Sequence, residues 1–189
     1  MALTAASKIS LGTRAPEFAL PDASGRIVAL HDFDGQVALI VVFWCNHCPF
    51  VKHIKAKFAE FAKEFQARNV AIVAINANDV VNYPQDRPEK MLEDAAEFGF
   101  TFDYLIDADQ QTARAYHAAC TPDIFLFDRD RKLVYHGQFD ASRPNNNVPV
   151  DGRDLRSATE ALLAGRQPVA NQVPCIGCNI KWLDNAPAQ

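Results

Sequence analysis

Seven apolar residues in succession, Val37 to Phe43, stand between a polar break at His31–Gly35 and a pair of cysteines. A run without alternation is the pattern of a strand covered on both faces. Beyond the cysteines, Val51, Ile54, Phe58, Phe61 and Phe65 recur at alternating spacings of three and four. That spacing predicts a helix with one apolar stripe, and Lys52, Lys55 and Lys57 read as its solvated face. Pro49 suits a first helical turn, where its missing N–H has no partner to lose. Val70 to Ile75 predicts a second buried strand. The segment 37–75 is thus strand, helix, strand, a unit that makes parallel strands with a right-handed crossover.

The flanks are less regular. Two short strands around a turn at Ala23-Ser24-Gly25 predict an N-terminal hairpin. A helix is predicted over Glu89–Phe98, stopped by Gly99, then a strand over Phe102–Ile106 and a helix over Asp109–Ala119. Ile124–Phe127 and Lys132–Phe139 read as an antiparallel pair, and Gly152–Leu163 as a last helix closed by Gly165. The last 24 residues, 166–189, read as an irregular tail carrying a second CxxC, after one domain over 1–165.

Composition narrows the classes. A chain of 189 residues with 49% apolar content can bury one core without staples. A net charge of −4 argues against nucleic acid as a partner. No apolar run is long enough to predict a membrane span. The N-terminus lacks a basic start followed by an apolar stretch, so a cytoplasmic address is expected. Cysteines number five, an odd count, and four of them stand in close pairs: Cys45/Cys48 and Cys175/Cys178, with Cys120 alone. In a reducing compartment such pairs are more often catalytic or metal-binding than structural.

Cys45 and Cys48 fall where a buried strand meets a helix. Unpaired N–H groups and a partial positive charge at a helix N-terminus favour a thiolate. The predicted order is asymmetric: Cys45, ahead of the helix, attacks, and Cys48, one turn further in, resolves the mixed disulfide. His47 between them would tune the thiolate when protonated, making the disulfide more oxidising than one spaced by Gly-Pro.

The stretch "APEFALPDASGRIVALHDFDGQVALIVVFWCNHC", with Trp44-Cys45-x-x-Cys48 and with Thr121-Pro122 before "DIFLFD", resembles the thioredoxin-like proteins related to thiol-specific antioxidant (AhpC/TSA) and cytochrome-biogenesis reductases, over roughly residues 10–165. The resemblance implies a thioredoxin-like α/β fold with a mixed central sheet and helices on both faces. It implies thiol–disulfide exchange, with Thr121 and Pro122 positioning the partner chain and Trp44 shaping the surface. It implies no organic cofactor, since electrons come from another dithiol protein or a small thiol. The ending "CIGCNIKW" is similar to the C-terminus of a peroxiredoxin-like subgroup.

Two alternatives stay open. A peroxiredoxin-like thiol peroxidase is one. If Cys48 is aligned with the peroxidatic cysteine, however, the family's activating Pro and Thr become Val41 and Cys45, and Pro122 falls near its Arg. A non-enzymatic zinc module built from Cys45/Cys48 and Cys175/Cys178 is the other. For Cys175 and Cys178 themselves, a tail dithiol that passes electrons to Cys45/Cys48 competes with incidental cysteines around a turn at Gly177. The second is favoured, because no helix follows to activate either thiol. Cys120, two residues before Pro122, reads as a buried small side chain.

Overall fold

The computed structural model describes residues 3–183. Its central sheet holds five strands: β4 (Ala38–Phe43), β5 (Val70–Asn76), β6 (Asp103–Ile106), β8 (Asp123–Phe127) and β9 (Leu133–His136). Their order is β6-β5-β4-β8-β9. β4, β5 and β6 run parallel, whereas β8 pairs antiparallel with both β4 and β9. The sheet is therefore mixed. Its centre is the unbroken apolar run, with every residue of β4 and β5 buried.

Strand periodicity sorts these side chains to two faces. Ala38, Ile40, Val42 and Trp44 join one apolar cluster, and Leu39, Val41 and Phe43 the other. The first cluster is closed by α1 (Pro49–Gln66), with contributions from α2 (Pro88–Phe98) and α4 (Arg153–Leu163). The second is closed by the short α3 (Gln111–Ala115), by the hairpin β2 (Ala19–Pro21) and β3 (Ile27–Ala29), and by Leu30 and Phe33 in the turn that follows. Helices thus cover both faces. The helix expected over Asp109–Ala119 is only the five residues of α3.

Two expectations are corrected. Lys55, read as solvated, is 2% exposed. It pairs with Asp94 and lies 5.0 Å from the Phe98 ring centroid, because α2 packs against that side of α1. The tail, read as irregular, contains the strand β10 (Ile176–Asn179), inserted between β1 (Leu3–Ala5) and β7 (Cys120–Thr121) in a small antiparallel sheet. The register pairs Cys178 with Thr121. Gly177 makes this possible: a Cβ there would lie 2.1 Å from the Thr121 carbonyl oxygen. The end of the expected tail, 184–189, lies outside the described residues.

Candidate active site

Four elements converge on the cysteine pair. β4 ends at Phe43, and Cys48 is the N-cap of α1, with Pro49 at the first helical position. The loop after β5 supplies Tyr83 and Asp86. β7 leads into Pro122, and the Thr121–Pro122 peptide bond is cis. β10 brings Cys178.

The sulfurs form a connected set. Cys48 Sγ lies 2.9 Å from Cys178 Sγ and 3.1 Å from the Thr121 carbonyl oxygen. Cys45 Sγ lies 3.3 Å from Thr121 Oγ1, and the Cys45 and Cys48 thiols are hydrogen-bonded to each other. Neither Cys45 nor Cys48 has exposed surface.

The two thiols are shifted in opposite directions. Burial, the hydrogen bond to Cys48 and the nearby Asp86 carboxylate push the Cys45 thiol well above its ordinary value. Cys48 moves down. The hydrogen bond with Cys45 favours its thiolate, which against the cost of burial is also favoured by Cys178 and by the Val51 N–H at the start of α1. The Thr121 side chain adds to the same effect. The expectation of an ionised Cys45 is corrected accordingly. The helix end acts on its N-cap, three residues further along.

His47 is also engaged differently. Its Nδ1 lies 2.6 Å from Asp86 Oδ2, and its ring stacks on Tyr83 at 5.3 Å. Asp86 is fully buried and accepts from the Asn46 N–H, the His47 N–H and Asn78 Nδ2 as well. Burial alone would raise its carboxyl, but the bonds from His47 and Asn78 outweigh that and hold it below the ordinary aspartate range. With Nδ1–H committed to Asp86, the neutral ring carries its lone pair on Nε2, which is buried and without a partner. The imidazole thus answers to a carboxylate first and to the cysteines second. Asn46 is held as well, accepting from the Tyr104 hydroxyl at 2.8 Å.

Trp44 does not shape the surface. It is fully buried on the α1 face, its ring 5.0 Å from Phe58 and 6.5 Å from Phe100. Beside Pro122 a small cleft of about 20 Å³ opens instead, lined in part by Phe50, His53, Pro122, Arg143 and Ile176.

The remaining cysteines separate. Cys120 is buried, with Sγ 3.5 Å from the Pro122 carbonyl oxygen. Cys175 Sγ donates to the Gly137 carbonyl oxygen at 3.0 Å. Only Cys178 of the second pair reaches the first, so the four-thiolate zinc set is not assembled. The 2.9 Å Cys48–Cys178 separation is also short of the ~3.8 Å that ~2.3 Å Zn–S bonds require in a tetrahedron. Ligand atoms of Cys45, His47 and Asp86 lie within 4.8 Å of one another, but the Asp86 oxygens are already taken up by four donors.

Asp86, Asn78 and Tyr83 are the site residues that the sequence reading missed, whereas Cys178 stood only as a possible auxiliary thiol. The first three sit in a loop without periodicity, and only their distance from the cysteines in the chain conceals them. For Cys178, the CxxC spacing was the available signal.

A buried strand ending in a CxxC at a helix start, opposite a cis X-Pro bond, defines a thioredoxin-like redox protein. The chain belongs to the AhpC/TSA family, whose model matches residues 11–136. It is 30% identical over 130 residues to the thiol-disulfide oxidoreductase ResA of Geobacillus thermodenitrificans, covering 69% of this chain and 70% of that one. Two solved structures superpose over nearly the whole chain. A hypothetical protein of Sinorhizobium meliloti gives a TM-score of 0.95 at 48% identity, covering 96% of this chain and 100% of that one. An uncharacterized conserved protein of Geobacillus kaustophilus gives 0.95 at 47%, covering 98% and 99%.

Proposed function

We propose that this protein is a thiol–disulfide oxidoreductase that exchanges a dithiol and a disulfide through Cys45 and Cys48. One observation carries the reading: the two sulfurs stand together at the N-terminus of α1, both in contact with Thr121 beside the cis bond to Pro122. In the reduced state Cys48 holds the negative charge and Cys45 the proton. Cys45 attacks a partner disulfide while passing that proton to Cys48, and the partner's first sulfur leaves as a thiolate. Cys48 then gives up its proton and attacks the Cys45 sulfur, which releases the second partner thiol and leaves a Cys45–Cys48 disulfide. A dithiol protein or a small thiol restores the reduced pair. His47, oriented by Asp86 and with a ring nitrogen within 4.8 Å of the Cys45 sulfur, is the group to receive or return protons at the departing sulfur. Thr121, Pro122 and the cleft beside them position the partner chain, and Trp44 holds the end of β4 from within the core. The proposal includes a cytoplasmic setting, in keeping with an odd number of cysteines, four of them in close pairs. Residues 1–165 form the exchange domain in this reading.

The test is single-turnover reduction of glutathione disulfide by the reduced full chain. Wild-type protein releases two equivalents of glutathione, and Cys48→Ser stops at a mixed disulfide on Cys45. Absence of both products, or near-stoichiometric zinc in freshly purified protein with no titratable thiol, contradicts the reading.

Peroxide reduction is the second reading, favoured by family membership and by the anion on Cys48. A second-order rate with hydrogen peroxide no faster than that of free cysteine removes it.

A further inference from the structure

We propose that Cys178 is a third redox-active thiol of this site, and that the disulfide is relayed from Cys45–Cys48 to Cys48–Cys178. The inference rests on the exchange reading of Cys45 and Cys48, but it can fail without that reading failing.

The geometry is built for it. Cys48 is the shared neighbour, in contact with Cys45 through a hydrogen bond and with Cys178 at 2.9 Å. β10 is held on both edges, by β1 and β7, with Cys178 in register with Thr121. That close approach depends on Gly177, where any side chain would collide with the Thr121 backbone. Chance packing of a small thiol does not call for a glycine at that position. Cys175, immediately before the strand, bonds to Gly137 and takes no part.

The step balances without an outside oxidant. Cys178 loses its proton and attacks Cys48 Sγ. The Cys178–Cys48 bond forms, the Cys45–Cys48 bond breaks, and Cys45 leaves as a thiolate that takes up a proton. No electrons are gained or lost by the chain. The relay returns Cys45 to its thiol form, keeps the oxidising equivalent on the inner pair, and ties β10 covalently to the start of α1.

The reduced state restrains Cys178. Burial raises its thiol, and the hydrogen bond to Cys48 and the Cys48 charge add to that, while Lys181 works the other way. Oxidation of Cys45 and Cys48 removes the Cys48 charge and leaves Lys181 in place. The third thiol therefore becomes a stronger acid when there is a disulfide for it to attack.

Disulfide mapping of the full chain tests this. Reduced protein is treated with one equivalent of diamide, quenched in acid, alkylated and digested with trypsin. Cys45 and Cys48 share the peptide 27–52, and Cys178 lies in the peptide 167–181. The relay predicts a species with the summed mass of the two peptides less two hydrogens, joined through Cys48 and Cys178, with Cys45 alkylated. Cys178→Ser loses that species and keeps the internal Cys45–Cys48 disulfide. Cys45→Ser still forms the linked species, provided that it retains the wild-type far-ultraviolet circular dichroism; if it unfolds, the wild-type map alone decides. Wild-type protein with only the internal disulfide overturns the relay and leaves the exchange reading intact. Wild-type protein with neither disulfide overturns both.

Discussion

The chain carries the same spacing twice, and the two copies behave in opposite ways. Just ahead of α1, the chain bends at Asn46–His47 and brings Cys45 back to Cys48, the N-cap. At β10, Cys178 lies in the strand and Cys175, three residues earlier, immediately precedes it. The two side chains part, one to Gly137 and the other to Cys48. A CxxC is therefore a dithiol only where the backbone turns. The second motif is a single thiol delivered to the first, and this difference explains why four cysteines in two pairs give a three-sulfur cluster.

The largest effect separates the two motifs directly. Cys45→Ser is expected to lower disulfide-reductase turnover by on the order of 10⁴-fold, as loss of a nucleophile does elsewhere, whereas Cys175→Ser leaves it unchanged. A comparable loss at Cys175 would break the distinction.

Next comes the carboxylate that holds the first motif and has no counterpart at the second. Asp86→Ala leaves four donors without their acceptor and is expected to cost about 3–5 kcal/mol in urea unfolding. The Asp86 carboxyl is held below its ordinary value of ~3.9. Its stabilisation is thus fully present above that value and lost as pH falls through the lower folded value. Wild-type protein should lose this stability in acid, and the variant should show a flatter stability curve there.

A smaller effect sharpens the strand side. Gly177→Ala forces β10 away from Thr121, at a cost of about 1–3 kcal/mol in the urea midpoint. It should also slow formation of a Cys48–Cys178 disulfide relative to Cys45–Cys48. The smallest contrast lies on the helix that carries the first motif. Lys55→Ala should cost about 1–3 kcal/mol and Lys52→Ala no more than about 0.5 kcal/mol, since only Lys55 is buried against Asp94.

The elements that organise the site were legible in the sequence wherever period and composition agreed. The run at 37–43, the stripe from Val51 to Phe65 and the apolar 70–75 lead directly to β4, α1 and β5. The site's chemistry was legible only in part. Cys45, Cys48, Thr121 and Pro122 come together as the motif implied. Asp86 could not be read, because a lone aspartate in a polar loop looks the same whether it is solvated or buried under four donors. Its capture of His47 was hidden for the same reason. Trp44 was misplaced because an aromatic beside a CxxC reads as surface, although it continues the β4 alternation into the core. Lys55 was misplaced because periodicity marks the apolar face of a helix but not a second helix packed along its polar side. β10 was missed because four residues holding a glycine and a cysteine give no strand signal. Its place is set by β1 at the start of the chain and by β7 in the middle of it.

The central claim is that the shared negative charge lies on Cys48. Carbon-13 labelling at cysteine Cβ, followed by NMR across pH on the reduced full chain, reads each sulfur separately and does not require exposure. The account predicts that the Cys48 resonance titrates with a midpoint below the ~8.5 of free cysteine, while Cys45 keeps its thiol shift through that range. A Cys45 resonance that moves first, with Cys48 unchanged, would contradict it.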